Sequence, residues 1–498
     1  MLFNSLQFLI FLPIVIMAYY LIPGRGKQLW LLAASYYFYM CWNAVYALLM
    51  LLSTVITYLC GLGLDMLNRQ DMVFARKQRL RRVLLWISLG INLSILFFFK
   101  YFYFAIDSLN SILVHIGFQL NRPSFDVLLP VGISFYTFQA LGYTIDVYRN
   151  EIYAEKNLFR YALFVSFFPQ LVAGPIERSK NLLKQLAVPK KFSYDNLREG
   201  FLLMLWGFFL KIVIADRLAF FVDTVYSADY YNFGGIIVMI ATIFFAIQIY
   251  CDFGGYSSIA MGAAKMLGID LMENFNTPYL SMSTSEFWRR WHISLSSWFR
   301  DYVYIPLGGN RKGKLRKYLN LMITFGASGL WHGANWTFVV WGLLNGFYQI
   351  IGSLLMPLRN RFVLLFRLNT SSEGHKALKI LITFTLITIS WVFFRASSLS
   401  MALDMLRSCI YIRPWTFFDG SLYTLGLDKA NFTLALFCIA VLVFSDIAKY
   451  RGICIRNVII RQDAWCRALV IAVSVSFILL FGIWGSAYDA ASFIYFQF

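Results

Sequence analysis

Long uninterrupted apolar stretches recur along this chain, and they constrain its fold more than any other feature. Of its 498 residues, 59% are hydrophobic and 14% are charged, whereas about a quarter of the residues in a soluble domain are charged. Each stretch approaches the roughly 20 residues that an α-helix needs to cross a hydrocarbon core about 30 Å thick. The sequence therefore predicts a protein whose solvent is the lipid bilayer.

The apolar stretches have the pattern of helices and not of barrel strands. A transmembrane strand alternates apolar and polar residues over about 10 positions, but the runs 236–250 and 432–444 are apolar all round. Because a helix satisfies its own backbone hydrogen bonds in lipid, the predicted fold class is all-α, with roughly 11 to 13 transmembrane helices. The spans are expected near residues 5–22, 29–64 (two helices), 83–106, 128–147, 158–174, 200–222, 234–251, 319–356 (two helices), 378–395, 430–448 and 467–486.

The formal net charge of +19 comes from short basic connections between these spans. Arginine and lysine concentrate at 69–82, 311–317 and 449–467, as they do in cytoplasmic loops under the positive-inside rule. Membrane topology therefore explains the charge, and no nucleic-acid partner is expected.

The sequence shows no division into separate domains. We find no internal repeat, linker or low-complexity stretch, so residues 1–498 are predicted to form a single membrane domain. The first 21 residues are apolar but lack the basic region and cleavage site of a signal peptide, and we expect them to remain as the first helix. The seven cysteines are scattered without a CxxC pair, which predicts neither a disulfide framework nor a metal site.

The interval 251–309 is too polar to span the membrane and too aromatic to be a free loop. Ser283 and Glu286 have the spacing of a capping box, which predicts a helix start. At about 100° per residue, His292 falls on an aromatic face of that helix, opposite a face with arginines. The sequence predicts one amphipathic or re-entrant helix, with His292 either packed as a structural residue or available for chemistry. Its apolar face consists of Trp288, Trp291, Leu295, Trp298, Phe299 and Tyr302.

A second histidine lies in the stretch YLNLMITFGASGLWHGANWTFVVWGLLNGF, which follows the basic loop 311–317. Counted from Tyr318, His332 is about 21 Å along a straight helix, which is deep in the bilayer. Ionisable groups are unfavourable there, so His332 is a functional candidate. We assign no role to the other two histidines, His115 and His375. The glycines that would permit close helix approach or a local break are Gly326, Gly329, Gly333, Gly342 and Gly346.

A membrane histidine of this kind favours acyl transfer. A neutral imidazole can accept the proton of a hydroxyl as that hydroxyl attacks a carbonyl, and the developing oxyanion needs a hydrogen-bond donor. We expect His332 to be the base, with the indoles of Trp331 and Trp336, the Asn335 amide or backbone amides as alternative donors. The sequence lacks the GxSxG, HExxH, Walker A and dinucleotide-binding motifs of other chemistries.

Three acidic residues lie at or near apolar runs: Asp146, Glu177 and Asp252. They could line a polar path through the protein or pair with arginines. We favour ion pairs with arginines, because an unpaired carboxylate is unfavourable in lipid.

Several stretches of this sequence resemble those of a known protein family. The stretches SEFWRRWHISLSSWFRDYVYIPLGGNR and SGLWHGANWTFVVWG closely resemble the membrane-bound O-acyltransferase family, and in particular its bacterial alginate O-acetyltransferase-like branch. The similarity extends over nearly the whole chain. It includes LLPVGISFYTFQALGYTIDVYR, FFPQLVAGPIER, IYCDFGGYSSIAMG, ENFNTPYLS and the terminal FIYFQF.

The resemblance implies a funnelled helix bundle whose catalytic segments lie within 251–346. His332, in WHG, matches the essential histidine of the family, and His292 matches its second characteristic histidine. The segments around these two residues provide the candidate substrate-binding residues. They are Asp252, Trp288, Arg289, Trp291, Trp331, Asn335 and Trp336.

The resemblance also implies substrates and a location. The donor would be a cytoplasmic acyl thioester, acetyl-CoA or an acyl carrier protein, acting as co-substrate without a bound cofactor. The acceptor would be a hydroxyl at or beyond the opposite membrane face, on a polysaccharide such as alginate, peptidoglycan or cellulose, or on an extracytoplasmic O-acetyltransferase partner. The chain would then be a multi-pass protein of the bacterial inner (cytoplasmic) membrane.

Other functions stay open on the sequence. D-alanyl transfer from a carrier protein to teichoic acid is carried out by relatives with the same fold and histidines. A transporter or flippase of lipid-linked saccharides would also need many helices, but it gives no reason for two membrane histidines. A non-catalytic scaffold that recruits a secreted transferase would tolerate the loss of both. Substitution of His332 separates these hypotheses.

Overall fold

The computed structural model describes residues 1–24, 26–121, 129–172, 174–227 and 230–484. Within these residues all regular structure is helical, which confirms the all-α class. The start of the predicted 128–147 span, the end of the 467–486 span and the terminal FIYFQF lie outside the described residues.

The α-helices are α1 Leu6–Leu21, α2 Gly26–Met40, α3 Ala44–Arg69, α4 Phe74–Leu96, α5 Phe102–Leu113, α6 Ile133–Tyr148, α7 Leu158–Ser166, α8 Phe168–Leu171, α9 Ser179–Ala187, α10 Tyr194–Phe208, α11 Asp216–Val225, α12 Gly235–Met266, α13 Thr284–Arg290, α14 Ile293–Phe299, α15 Gly313–His332, α16 Trp336–Leu354, α17 Met356–Leu365, α18 Glu373–Arg395, α19 Leu399–Ser408, α20 Lys429–Tyr450, α21 Ile455–Ile460 and α22 Ala464–Phe481.

Several of these helices are long and apolar enough to cross a membrane, so the chain is a multi-pass membrane protein. Some other predicted spans correspond to helices that are shorter than a membrane crossing needs; the 5–22 span, for example, corresponds to Leu6–Leu21, which has 16 residues. Among the described residues, seven helical stretches meet it: Ala44–Arg69, Phe74–Ile116, Gly235–Met266, Trp336–Leu354, Glu373–Arg395, Lys429–Tyr450 and Ala464–Phe481.

Several predicted spans have different bounds in the structure; the 83–106 span, for example, lies within the longer helical stretch Phe74–Ile116. The 158–174 span is not one helix but two, α7 and α8, with Phe167 between them in a non-helical conformation. Pro169 explains the break, since proline has no backbone N–H to continue the helix. The 234–251 span is longer than predicted, because α12 continues to Met266. Asp252 made the sequence look too polar there, but the structure pairs this carboxylate with the ammonium group of Lys211.

The chain folds into two compact units, and the first contains residues 1–201 and 259–272. In it, α3 packs against α4 and α6, and α2 packs against α7. The rings of Tyr143 and Tyr161 have centroids 4.5 Å apart, and the Tyr161 hydroxyl donates to Thr57 Oγ1 at 2.7 Å. A hydrogen-bonded aromatic core of this kind suits helices that must associate in lipid.

The second unit contains residues 202–258 and the described residues from 273 onward. Its centre is the hairpin of α15 and α16, and α16 also packs against α18. The two hairpin helices touch through glycines: a Cβ added to Gly329 would lie 2.3 Å from the carbonyl oxygen of Phe338, and one added to Gly342 would lie 2.3 Å from that of Phe325. The predicted close helix approach at these glycines is confirmed, and it fixes the backbone that carries His332.

Candidate active site

His292 occupies a break between two short helices. Helix α13 ends at Arg290 and α14 begins at Ile293, while His292 has φ 42° and ψ 55°. The prediction of one continuous amphipathic helix is therefore wrong, although its start is confirmed, since Ser283 Oγ accepts the backbone N–H of Glu286 at 3.1 Å. The left-handed conformation is uncommon for a residue other than glycine and requires support from its surroundings.

Asn274 supplies that support from the segment that precedes α13. Its backbone carbonyl accepts the N–H of Ile293 at 3.0 Å. Its side-chain Oδ1 accepts the Ser294 hydroxyl at 2.6 Å and the Ser294 N–H at 3.3 Å, while its Nδ2 donates to Ser257 Oγ at 3.2 Å. Asn274 is fully buried. The sequence did not single out Asn274, which appears there only as part of the stretch ENFNTPYLS.

His332 is the last residue of α15, at the tip of the α15–α16 hairpin. Gly333 leaves the helix in an extended conformation, with φ −163°. Asn335 then caps α16, its Oδ1 accepting the N–H of Thr337 at 3.0 Å. The helix of the apolar run thus ends at the histidine instead of continuing past it, and the turn that follows is only three residues long.

The two histidines come together in the second unit. The centroids of the His292 and His332 rings are 6.3 Å apart, at an interplanar angle of 67°. Both residues are buried, His292 fully and His332 with 4% of its surface exposed. Trp331 lies beside both, with centroid distances of 6.0 Å to His292 and 5.0 Å to His332. Two residues that the sequence singled out separately therefore share one buried site.

Aromatic rings from three further helices enclose this pair. Phe253 of α12 lies 4.6 Å from His292, while Trp341 of α16 and Phe394 of α18 lie 5.0 and 5.4 Å from His332. The sequence analysis missed all three. Trp341 could have been found, because an antiparallel hairpin turning at 333–335 brings residues that follow the turn back beside those that precede it.

Two of the predicted substrate-binding tryptophans belong to the wall behind this site. Trp288 lies 5.7 Å from Trp341 and donates from Nε1 to Asn345 Oδ1 at 3.3 Å. Trp291 is 1% exposed and lies 5.1 Å from Trp391. Their contacts are mostly with other aromatic rings, so they form a second aromatic layer behind the two histidines.

Three other predicted residues lie at the protein surface. Arg289 is exposed, and Trp336 is 52% exposed. Asn335 is partly exposed, with its Nδ2 donating to the carbonyl oxygen of Ser397 at 3.4 Å. Asn335 nevertheless ends the turn after His332, and Trp336 begins α16, so both lie within four residues of His332 along the chain.

Asp252 is part of a buried ionic cluster. Lys211 Nζ lies 2.6 Å from Asp252 Oδ1 and 2.7 Å from Asp216 Oδ1, and all three side chains are less than a tenth exposed. The expected arginine partner is therefore a lysine. Lys211 sits in a π-helical segment, Phe209–Ala215, a distortion that often occurs near functional sites.

The other two acidic residues accept hydrogen bonds, and their pairing with arginines stays a prediction. Asp146 Oδ2 accepts the Ser179 hydroxyl at 2.8 Å, and the Glu177 carboxylate accepts the backbone N–H of Met272. Within the described ranges, no three His, Cys, Asp or Glu side chains are grouped so as to hold a metal ion.

The protonation state of His292 follows from its burial. Desolvation lowers the pKa of the imidazole to about 3, because a charged ring among aromatic side chains loses its hydration. The ring is therefore neutral at physiological pH. A neutral imidazole can accept a proton at one nitrogen and donate one from the other, which is what a reaction at a hydroxyl requires.

Known proteins with similar sequences point to the same region. The sequence profile of the membrane-bound O-acyltransferase family matches residues 149–399, a range that contains both histidines. A probable alginate O-acetylase of Azotobacter vinelandii is 38% identical over 90% of this chain and 85% of its own length. A second, from Pseudomonas putida, is 37% identical over the full length of both chains. The peptidoglycan O-acetyltransferase of Helicobacter pylori is 35% identical over 82% of this chain and 80% of its own.

Proposed function

Because the chain belongs to the membrane-bound O-acyltransferase family, we propose that it transfers an acetyl group from a cytoplasmic thioester to hydroxyl groups of an exported or cell-surface polysaccharide. The observation that carries the proposal is the buried pair of His292 and His332, with ring centroids 6.3 Å apart. The relatives named as alginate and peptidoglycan O-acetyltransferases favour acetyl as the acyl group and a polysaccharide as the acceptor.

In this proposal His332 is the general base. Its imidazole accepts the proton of the acceptor hydroxyl as the hydroxyl oxygen attacks the thioester carbon. The same proton then passes to the departing thiolate, so the base is regenerated without a net proton uptake. His292 faces the same pocket as a neutral ring and orients one of the two substrates by hydrogen bonding. The aromatic wall, which includes Trp331 and Phe394, excludes water that would hydrolyse the thioester.

The donor is proposed to enter from the cytoplasm as acetyl-CoA or an acyl carrier protein. The basic segment 311–317 supports this, because it carries mostly exposed side chains at the start of α15: Arg311, Lys312, Lys314, Arg316 and Lys317. A cluster of this charge attracts the phosphates of coenzyme A or the acidic surface of a carrier protein. Helix α15 then leads from that segment to His332.

The remaining proposals concern location and assembly. We propose that the protein resides in the bacterial inner membrane and that residues 1–498 act as one domain. We also propose that an extracytoplasmic O-acetyltransferase receives the acetyl group where the polymer itself cannot reach the site. The part-exposed Asn335 and Trp336, next to His332 along the chain, support acceptor access at the opposite end of α15 from the basic segment.

The test is acyl transfer in membranes from cells expressing wild-type protein, His332→Ala or His375→Ala. Radiolabelled acetyl-CoA, acetyl carrier protein and D-alanyl carrier protein serve as separate donors. We expect the wild-type protein to transfer the acyl group from an acetyl donor. His332→Ala should abolish this transfer, whereas His375→Ala should leave it intact, because His375 lies in the first turn of α18, distant in sequence from the site residues. Transfer from the D-alanyl donor alone would contradict the acetyl assignment. No transfer from any thioester by folded protein with its partner present would favour the transporter.

A further inference from the structure

The indole N–H of Trp341 is buried without a hydrogen-bond acceptor in the described part of the chain. The residue is 1% exposed, so bulk water does not reach it. Buried N–H groups are nearly always hydrogen-bonded, and an exception calls for an explanation. The neighbouring Trp288 shows the usual arrangement, since its Nε1 donates to Asn345 Oδ1.

Trp341 is also the ring that contacts His332 most closely from α16. The two ring centroids are 5.0 Å apart and the planes are nearly perpendicular, at 88°. Trp391 is buried as well, but its ring lies behind Trp341, stacked on it at 5.5 Å. Trp341 therefore combines a ring directly beside the base with an indole N–H that has no acceptor among the described residues.

The position of Trp341 is rigid. Its carbonyl oxygen accepts Asn345 Nδ2 at 2.9 Å, and the next residue, Gly342, is in backbone contact with α15. Stacking on Trp391 holds the plane of the ring. A donor that is fixed before the substrate arrives needs no reorganisation during the reaction, and this is the property that makes an oxyanion site effective.

We propose that the Trp341 indole N–H is the oxyanion donor of the acyl transfer, an assignment that rests on the proposed function. The acceptor hydroxyl oxygen forms a bond to the thioester carbon, and its proton goes to His332. The carbonyl π electrons move to oxygen, where the negative charge accepts the hydrogen bond from Trp341. The C=O bond then re-forms, the C–S bond breaks with its electron pair on sulfur, and the thiolate takes the proton from His332.

This assignment replaces two of the donors predicted from the sequence. Trp336 is half exposed, and Asn335 uses its side-chain oxygen to cap α16 and its amide on Ser397. Trp341 differs from both because its donor is buried beside the base and has no competing acceptor among the described residues. Its apolar surroundings also strengthen a hydrogen bond to a charged oxygen.

The test replaces the indole N–H while keeping the shape of the ring. Trp341→3-benzothienylalanine, introduced by codon suppression, exchanges N–H for sulfur, and Trp341→Phe is the simpler companion variant. We expect kcat to fall by about 10²- to 10³-fold, the loss typical for one oxyanion donor, with KM for the thioester and the unfolding temperature nearly unchanged. Stability should hold because the N–H forms no hydrogen bond in the resting protein.

Trp30 provides the matched control, since its Nε1 donates to the carbonyl oxygen of Val15 at 3.1 Å far from the site in sequence. The same replacement there should lower stability and leave kcat unchanged. A benzothienyl variant at 341 with wild-type kcat would overturn the assignment even if Trp341→Phe misfolds. Wild-type protein that uses no thioester would instead overturn the proposed function, and the assignment with it.

Discussion

The carbonyl oxygen and side chain of Asn274 hold Ile293 and Ser294 through three hydrogen bonds, and these bonds fix the left-handed backbone of His292, the residue directly before them. The histidine is thus positioned by a residue from a preceding segment and not by its own helix. Its ring then faces Phe253 and His332. Several measurable consequences arise from this arrangement.

Replacement of Asn274 should disturb the reaction through His292. Asn274→Ala removes the acceptor of two Ser294 hydrogen bonds, each contributing roughly 0.5–1.5 kcal/mol to stability, and it frees the His292 backbone. A displacement of about 1 Å can reduce turnover by about 10²-fold. Asn274→Asp keeps Oδ1 but loses the donor to Ser257 Oγ and buries a carboxylate, so it should not restore activity. In a double-mutant cycle with His292→Ala, the second substitution should cost little further activity; additive losses would show that Asn274 acts elsewhere.

The backbone of His292 can be tested separately from its ring. His292→Asn should fold normally, because asparagine tolerates the left-handed conformation better than most residues. His292→Val should lower the unfolding temperature, since a β-branched residue is strained at φ 42°. Thermal unfolding in detergent measures the difference. Equal stability of the two variants would mean that the segment adopts another conformation in solution.

Stability should fall as the pH drops below 6.5, the ordinary pKa of histidine. In the unfolded chain His292 takes up a proton near that pH, whereas burial keeps its folded pKa at about 3. The unfolded state therefore binds more protons between these values, and acid shifts the equilibrium toward unfolding. His292→Asn should flatten the decline in unfolding temperature between pH 6.5 and about 5. An unchanged slope would indicate that other groups cause it.

Two glycines of α16 offer a matched pair for the hairpin contact. In Gly342→Ala the new Cβ would lie 2.3 Å from the Phe325 carbonyl oxygen, while Gly352→Ala meets no atom within 4 Å. We expect the first to reduce expression and activity sharply, and the second to stabilise the helix by up to about 1 kcal/mol. Size-exclusion profiles and acyl transfer provide the readouts. Normal behaviour of Gly342→Ala would mean that α15 and α16 lie farther apart than this contact requires.

The lysine of the ionic cluster should be essential for folding. Lys211→Met leaves Asp216 and Asp252 buried without their ammonium partner, and breaking a buried pair typically destabilises by about 3–5 kcal/mol. Lys265→Met is the control variant, because the ion pair between Lys265 and the exposed Asp270 should contribute only about 0–1 kcal/mol to the free energy of unfolding. Detergent-solubilised yield and unfolding temperature distinguish the two. A Lys211→Met protein as stable as the wild type would show that the ammonium group does not hold this cluster together.

The sequence alone was sufficient to predict the all-α fold class and to select His292 and His332 as candidate site residues. Apolar runs reveal membrane helices because lipid removes the alternatives, and His332 stood out because ionisable residues are rare in such runs. The pattern could not reveal the break at His292, since α13 and α14 each continue the same apolar periodicity on either side of it. Only the hydrogen bonds from Asn274 show that one residue there is not helical.

Long-range packing accounts for the remaining differences. Lys211 was hidden inside an apolar run, so the partner of Asp252 could not be read from the local sequence. Trp341 and Phe394 look like ordinary membrane aromatics until α16 and α18 are placed beside α15. The exposed position of Arg289 agrees with the polar face predicted for that segment.

The backbone contact between Gly329 and Gly342 also bears on how this site can be altered. Main-chain atoms of α15 and α16, and not the surrounding side chains, determine the position of His332. Phe253 and Phe394 could then be exchanged for smaller residues, to admit larger acyl groups or other alcohols, without moving His332. Libraries that randomise these two positions and leave Trp341 and both glycines untouched should therefore retain a working base while the substrate range changes.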